Sequence, residues 1–149
     1  MPLIIALPDF QNAGQRTAAL AEMVDFYPTM AELCDLPAPA YAAGISQAPA
    51  LKNPAARPRK SALTQYKSGY SLRTARYRYT QWGPDDRAGA EFYDHQSHPE
   101  ELVNLAGQLQ QAETIQRLAG QLQERIAAAI RVSQSKIFFR KWCGSRRGR

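Results

Sequence analysis

Apolar residues along the chain form two clear patterns, and each pattern predicts a different element. Pro2 to Leu7 is an almost wholly apolar run, which is typical of a strand buried on both faces of a mostly parallel sheet. Near the other end, apolar residues recur at steps of three and four with Gln, Glu and Arg between them, which predicts an amphipathic helix. The core-facing stripe of that helix consists of Leu109, Ala112, Ile115, Leu118, Ala119, Leu122, Ile126 and Ala129.

The middle of the chain predicts an antiparallel meander. Tyr70 to Arg73 and Arg76 to Trp82 are runs of β-branched, aromatic and long side chains, and the short break at Thr74-Ala75 favours a hairpin between them. Turn formers occupy 83–86, and Ala90 to Tyr93 is a further apolar and aromatic run that would return as a third strand. The amphipathic helix would pack against this sheet.

Two local spacings predict helix starts. His98 precedes Pro99, and Glu101 follows three residues after His98, which is the pattern of a helix N-terminus with Pro at the first helical position. We therefore expect a helix to begin near Pro99. A further helix is expected to begin after Asp25, which would accept hydrogen bonds from the free amides of its first turn. Met30 would lie on the apolar face of this helix.

The charge of the chain is unevenly distributed. The net charge is +6, from 19 basic and 13 acidic residues, but residues 131–149 hold seven of the basic residues and none of the acidic ones. Residues 1–130 therefore carry 12 basic and 13 acidic residues, a net charge of −1. The basic character belongs to a tail that could bind polyanions weakly, and we do not expect a nucleic-acid-binding role.

The motifs of the meander resemble the C-terminal part of the sulfatase family, and most closely its iduronate-2-sulfatase-like and choline-sulfatase-like branch. The resemblance rests on S-L-R-T at Ser71 to Thr74, R-Y-R-Y-T at Arg76 to Thr80 with Trp82, E-F-Y-D at Glu91 to Asp94, and H-P-E-E and N-L-A further on. The order and the spacing both fit. His98 stands where the family has Asp, a weaker helix cap.

The N-terminal part is similar to the same family. M-P-L-I-I-A-L-P at the start resembles a V-P-L-I-I-x-x-P strand, and V-D-F-Y-P-T-M-A-E-L from Val24 resembles V-D-L-Y-P-T-L-A-E-L. Gly44-Ile45-Ser46 resembles part of a G-x-S-L-x-P-L loop, although Asp35 replaces a usual Gly before it. The resemblance covers roughly residues 1–130.

The resemblance implies an α/β fragment, the C-terminal portion of an alkaline-phosphatase-like sulfatase fold, followed by an α+β subdomain. Residues 1–46 would supply the last strand and helix of the large α/β domain, and we expect residues 1–45 to be poorly ordered alone because the neighbouring strands are missing. Residues 47–60, rich in Pro and Ala, are predicted to be an irregular, mobile linker. Residues 61–130 would form a small antiparallel sheet with a packed C-terminal helix, and residues 131–149 a disordered basic tail.

We predict no catalytic residue in this chain. The family uses a Cys or Ser in a C-x-P-x-R motif, a divalent cation, expected to be calcium, and Lys and His residues that bind sulfate, all upstream of the first strand here. Cys34 lacks the spacing, and Cys143-Gly144-Ser145-Arg146-Arg147 has Ser in place of Pro. The two Cys are expected to be free thiols. No phosphate-binding, dinucleotide-binding or nucleophile-elbow motif is present.

No metal site is predicted either. Asp94, His95 and His98 offer imidazole and carboxylate groups of the kind that zinc binds, but two His without further ligands make an incomplete site. We interpret these three residues as capping and turn residues.

Substrate contacts are the remaining candidates. In the resembled enzymes the C-terminal subdomain borders the pocket, and Arg73, Tyr77 and Trp82 are candidates for contacts to substrate in an intact enzyme. Alternation along the strand places Tyr77 and Tyr79 on one face, expected to be core, and Arg76 and Arg78 on the other.

The predicted function is that of a sulfatase C-terminal fragment, inactive alone. The alternatives are half of a split sulfatase, with the missing N-terminal half as its partner, or a non-catalytic module that binds polyanions. A module of the second kind should bind with a steep salt dependence that is lost when 131–149 are deleted. The sequence contains no apolar stretch long enough to span a membrane and no signal-peptide pattern at its start.

Overall fold

A computed structural model describes residues 3–8, 12–39, 41–83 and 87–144, and the side chains up to Arg131. The helices are α1 (Phe26–Leu33), α2 (Ala48–Lys52) and α3 (Ala112–Gly144), with short 3₁₀ turns at Met23–Asp25 and Leu109–Gln111. The strands are β1 (Ser61–Tyr66), β2 (Gly69–Thr74), β3 (Tyr77–Trp82) and β4 (Ala90–Asp94).

The four strands form one antiparallel sheet in the order β1-β2-β3-β4. The three predicted strands are confirmed as β2, β3 and β4, and the break at Thr74-Ala75 lies between the first two. Part of the turn predicted at 83–86 lies outside the described residues. No strand was predicted at β1, because S-A-L-T-Q-Y alternates only weakly between apolar and polar residues.

The core lies between the sheet and α3. Leu72 pairs with Tyr79, and Tyr79 with Phe92, so the three side chains share one face of the sheet. They pack against the fully buried Leu118 and Leu122 of α3. The centre of the predicted helical stripe is therefore confirmed, while its ends at Leu109 and Ala129 are exposed and contribute no core contact.

Side chains satisfy backbone groups at both edges of the sheet. Asn104 Oδ1 accepts from the Phe92 N–H at 3.0 Å on β4, and its Nδ2 donates to the Ala90 carbonyl at 3.1 Å. On β1, Glu22 Oε1 accepts from the Leu63 N–H at 2.8 Å. Free edges are sites where further strands can add, and these two side chains occupy the positions that an added strand would use.

The predicted helix near Pro99 is wrong. Residues 99 and 100 form a turn, and Glu101 has a φ of 58°. A right-handed helix cannot continue through a residue with this positive φ. Glu101 does not reach back to a helix cap but pairs with Arg78 and His95. The helix begins 13 residues after Pro99, at Ala112, once the chain has crossed the edge of β4.

The segment 47–60 was predicted to be irregular, but part of it is regular. It contains α2, whose Ala48 and Ala50 are buried, and near its end Arg59 is only 5% exposed. Burial of a charged side chain of this size requires paired partners, and these lie in the N-terminal part. The segment therefore fixes one part of the chain against the other.

The N-terminal part differs from expectation in two ways. Residues 3–7 form no strand, and Leu3 and Ile4 are exposed; among the described residues no neighbouring strand is hydrogen-bonded to them. In α1, the buried residues are Pro28, Thr29 and Ala31, whereas Met30, predicted to lie on an apolar face, is 42% exposed. The segment is nevertheless structured from Met23 onward.

The backbone of the basic tail continues α3 as a helix to Gly144, where a disordered segment was predicted from residue 131. Residues 145–149 lie outside the described residues, as do the side chains of the Cys143 segment. Within the described ranges, no helix is long and apolar enough to cross a membrane.

Candidate functional site

The two faces of the sheet have different chemistry. The face against α3 carries Tyr79, which is 2% exposed, and Tyr77, whose ring centroid lies 5.4 Å from that of Phe92, so the prediction that the Tyr face is core is confirmed. Arg73 and Trp82 lie on the opposite face, as their cross-strand pairing with Arg78 and Gly69 requires. The three candidate substrate residues are therefore split, with Tyr77 turned away from the other two.

The opposite face contains a shallow concavity of about 230 Å³, which we call the outer groove. Its floor includes Ser71 and Thr80, and the Thr80 hydroxyl donates to Ser71 Oγ at 2.9 Å. Apart from Gly69, the remaining lining residues are polar or aromatic: Thr64, Tyr66, Arg78, Trp82, Glu91, Tyr93 and Glu101. Of the three candidates, only Trp82 lines it.

Trp82 is held in one orientation by contacts on two sides. A Cβ at Gly69 would lie 2.4 Å from Trp82 Cε3, so the indole ring packs directly on the glycine backbone. Its Nε1–H donates to Glu91 Oε1 at 2.9 Å, and the other oxygen of Glu91 accepts from the Tyr93 hydroxyl at 3.3 Å. Burial, and next the Glu91 carboxylate, raise the pKa of Tyr93. One carboxylate thus orients two aromatic side chains of the groove.

Three titratable side chains meet at the other end of the groove. Arg78 Nε lies 2.9 Å from Glu101 Oε1, and His95 Nε2 contacts the same oxygen. Arg73 lies beside them but donates through Nη1 to the backbone carbonyls of Thr74 and Tyr77. Burial, and next the neighbouring Arg78, lower the pKa of Arg73. Because its guanidinium is already bonded to backbone carbonyls, Arg73 stabilises the end of the β2–β3 hairpin and does not line the groove.

The Asp94, His95 and His98 cluster is not assembled as a metal site. Asp94 forms a two-bond pair with Arg76, at 2.9 Å from Nε to Oδ1 and 2.6 Å from Nη2 to Oδ2, while His95 contacts Glu101. The described side chains include no group of three or more His, Cys, Asp or Glu that could hold a metal. The residues present here do not fit the calcium that the family resemblance implies for the intact enzyme.

A buried charged network, which the sequence did not predict, joins the N-terminal part to the α+β subdomain. Arg59 Nε donates to Asp25 Oδ2 at 2.9 Å, its Nη2 contacts Asp25 Oδ1, and its Nη1 donates to Glu22 Oε1 at 2.8 Å. Arg125 of α3 donates to that same Glu22 oxygen at 2.7 Å. We call Glu22, Asp25, Arg59 and Arg125 the charged network.

The predicted capping role of Asp25 is wrong for a related reason. Asp25 accepts from the Glu22 amide upstream and from the Ile45 amide, each at 2.8 Å, and from Arg59, but not from the turn that follows it. The bond from the Glu22 amide is local, three residues upstream, but no local pattern could have identified Ile45 and Arg59, which are 20 and 34 residues away in sequence. Burial of Arg59 in the Pro-rich segment would have indicated a buried ion pair, but burial cannot be read from the sequence.

Acid is expected to destabilise the chain through Asp94 and Asp25. Hydrogen bonds from Arg76 lower the pKa of Asp94; burial opposes ionisation of Asp25, but Arg59 and the amides of Ile45 and Glu22 outweigh it and lower that pKa too. A carboxylate with a lowered folded-state pKa stabilises the protein above its unfolded value of 3.8, and this stability is lost as the pH falls through the folded value.

Urea midpoints measured from pH 6 down to pH 2 would check this. The midpoint should fall most steeply below the unfolded value of 3.8, and Asp94→Asn should flatten part of that fall, since it removes one of the two groups. Glu32→Gln, in an exposed pair with Lys52, is the matched control and should leave the curve unchanged. An identical curve for Asp94→Asn and the parent chain would contradict the assignment.

Comparison with known proteins gives a consistent set of similarities. A family described as N-sulphoglucosamine sulphohydrolase, C-terminal, matches residues 1–128. The chain is 30% identical over 136 residues to N-acetylglucosamine-6-O-sulfatase of Bacteroides thetaiotaomicron, and 27% identical over 157 residues to arylsulfatase K of Xenopus laevis. These matches cover 83% and 93% of this chain but only 24% and 29% of the relatives, so the chain spans about a quarter of their length.

Solved structures show the same likeness in three dimensions. One is a protein in complex with its substrate D-glucosamine-2-N,6-O-disulfate, with a TM-score of 0.62 and 26% identity, covering 70% of this chain and 23% of that one. Another is a 2-O GAG sulfatase, with a TM-score of 0.59 and 26% identity, covering 72% of this chain and 25% of that one. Both likenesses therefore concern one part of a larger molecule.

Proposed function

The chain belongs to the sulfatase family, as its C-terminal part, and we propose that it completes a sulfuric ester hydrolase without catalysing hydrolysis by itself. The family match over residues 1–128 is the observation that carries this proposal. The remainder of the enzyme would supply the nucleophile, the cation and the sulfate-binding residues.

The distribution of exposed apolar side chains supports a missing partner surface. Among the side chains that the structure describes up to Arg131, fifteen large hydrophobic residues are exposed, and ten of them lie within residues 3–45, which supply less than a third of those side chains. Soluble proteins rarely leave such a concentration uncovered, and a larger α/β domain packed on this side would bury it. These residues are Leu3, Ile4, Met23, Val24, Phe26, Tyr27, Met30, Leu36, Tyr41 and Ile45.

The lack of the family's catalytic motif supports the proposal that this chain does not act alone. The sequence contains no C-x-P-x-R motif, and the side chains described up to Arg131 offer no metal-binding cluster. If the remainder of the enzyme is a separate upstream chain, the apolar surface of residues 3–45 would be the interface of a split sulfatase. This second form of the proposal is favoured by the same ten exposed residues.

The substrate class that we propose is a sulfate ester on a sugar. Two of the similar proteins are named for sulfated sugars, as N-acetylglucosamine-6-O-sulfatase and as a 2-O GAG sulfatase, and a third binds D-glucosamine-2-N,6-O-disulfate. The iduronate-2-sulfatase-like specificity implied by the strand motifs is one member of this class. Which sulfate position is cleaved would be decided mainly by residues outside this chain.

Hydrolysis assays on the purified chain test the first half of the proposal. With an aryl sulfate and calcium, we expect no sulfate release above that of buffer, because the sequence has no C-x-P-x-R motif. Turnover that copurifies with the chain through two chromatography steps would overturn the proposal. Boiled chain and a full-length sulfatase serve as the negative and positive controls.

A chimera tests whether the chain can complete a sulfuric ester hydrolase. Residues 1–128 would replace the matching C-terminal segment of the Bacteroides thetaiotaomicron N-acetylglucosamine-6-O-sulfatase, and the chimera should release sulfate from N-acetylglucosamine 6-sulfate. The same chimera with Leu72→Asp, which buries a charge in the core between sheet and helix, should lose this activity. A folded, soluble chimera without sulfate release would count against the proposal.

A further inference from the structure

We propose that the outer groove binds an unsulfated pyranose ring of the glycan. The groove lies on the side of the sheet opposite α3, and its lining residues are not part of the hydrophobic core. This inference rests on the proposed function, because it assigns a further contact to the substrate of that enzyme.

Trp82 provides the flat apolar surface that such a ring needs. One side of the indole packs on Gly69, and Nε1 is bonded to Glu91, so the ring is fixed before any ligand arrives. A pyranose presents an apolar C–H face and a rim of hydroxyls, and an aromatic ring with polar groups beside it matches both features. A preorganised aromatic residue also avoids the entropy cost of ordering on binding.

The polar groups at the rim are suited to hydroxyls. Glu91 and Glu101 present carboxylate oxygens that accept from O–H groups, and Arg78, whose side chain is 41% exposed, donates N–H groups. Thr80 and Ser71 on the floor can act as either donor or acceptor. The groove thus offers donors and acceptors around an aromatic surface, which is the arrangement that orients a polyhydroxylated ring.

The charge of the groove argues against a sulfate in it. Its charged lining residues are two carboxylates and one guanidinium, and the guanidinium already lies 2.9 Å from one of the carboxylates. A sulfate would be repelled by Glu91 and Glu101 and would have to compete with Glu101 for Arg78, while the nearby Arg73 is bonded to backbone carbonyls. A neutral ring meets no such repulsion, so we assign the groove to an unsulfated sugar.

Titration of the intact chain with N,N′-diacetylchitobiose, a neutral hexosamine disaccharide, tests this directly. In a Trp142→Phe background, Trp82 is the only indole, and its Nε1–H resonance should shift saturably at millimolar sugar. Trp82→Ala should weaken binding by about tenfold, followed on backbone resonances of β3 and β4. Tyr77→Phe, a change on the opposite face of the same strand, is the matched control and should bind as the parent does.

Glu91→Gln is a second test that does not depend on the folding of the Trp82→Ala variant. It keeps the shape of the side chain and an oxygen for the indole N–H, but it loses the negative charge, so binding should weaken severalfold without a change in the thermal midpoint. Equal sugar affinity of Glu91→Gln and the parent chain would overturn the role of the carboxylate. An unchanged indole resonance throughout the sugar titration would overturn the inference as a whole.

Potassium sulfate at the same concentration distinguishes the two ligand chemistries. Sulfate should leave the Trp82 indole resonance unchanged, and a saturable shift that competes with the disaccharide would overturn the assignment to an unsulfated ring. The chimera separates this inference from the proposed function, since its substrate is a single sulfated sugar. Hydrolysis by the chimera without disaccharide binding would refute the groove assignment alone, whereas loss of hydrolysis would refute the function.

Discussion

Arg59→Met is expected to lower the free energy of unfolding by about 3–5 kcal/mol, because it leaves the carboxylates of Asp25 and Glu22 without their shared cation. Asp25 is fully buried and the Arg59 side chain is 3% exposed, so water cannot replace the missing partner. Urea unfolding followed by circular dichroism would measure the loss. Amide exchange should localise it to α1, the Ile45 amide and the start of β1.

Two further variants make this result specific to the charged network. Lys52→Ala removes a cation from an exposed pair whose atoms are 3.9 Å apart, and it should change stability by less than about 0.5 kcal/mol. In Arg59→Met, Glu22 keeps Arg125 whereas Asp25 has no cation, so adding Asp25→Asn removes the unpaired charge and the double variant should lose less than the two single variants together. A loss for Arg59→Met no larger than that for Lys52→Ala would show that the network does not hold the two parts together.

Phe92→Ala should destabilise the α+β subdomain by about 3–5 kcal/mol through loss of buried surface and the cavity left behind. Phe92 is fully buried on β4, where its neighbours are the Tyr77 ring, Tyr79 and the side chains of α3. Because these residues join the sheet to the helix, amide protection should fall in β3, β4 and α3 together.

Tyr66→Ala is the control for the loss of an aromatic side chain without loss of core. Tyr66 is 63% exposed on the edge strand, and its removal should cost less than about 1 kcal/mol. The same urea unfolding assay measures both variants. Equal losses for the two variants, or a Phe92→Ala chain with native amide protection in α3, would contradict the position of the core between the sheet and the helix.

The elements that could be predicted were those whose signal is local. The alternation in Arg76 to Trp82 predicted β3 and its buried Tyr face, and steps of three and four predicted the part of α3 that carries Leu118 and Leu122. Both periodicities follow from the geometry of a single strand or helix, so they are present in the sequence itself. The same holds for the hairpin break at Thr74-Ala75.

The wrong predictions concern residues whose partners are distant in sequence. His98, Pro99 and Glu101 have the spacing of a helix start, but Glu101 adopts a positive φ and pairs with Arg78 and His95. Asp25 has the appearance of a helix cap, but a cation 34 residues away determines its role. In each case a contact across the fold outweighed a local preference of about 1 kcal/mol.

The candidate site was predicted only in part. Trp82 was identified as a substrate candidate and does line the outer groove, whereas Tyr77 lies on the core face and Arg73 bonds to the backbone. Glu91 and Tyr93 were seen only as part of a strand motif. Their meeting with Trp82 depends on the pairing of β3 with β4, which places residues nine and eleven positions apart in one concavity.

The sequence by itself determined the family, the meander and its helix, because short motifs and periodic apolar positions encode them without reference to distant residues. Only the tertiary structure decided that the segment 47–60 anchors the N-terminal part through Arg59, and that one sheet face is core while the other forms a groove. Burial of a charge and the assembly of a concavity are properties of several segments in contact, and no single segment records which others it will meet.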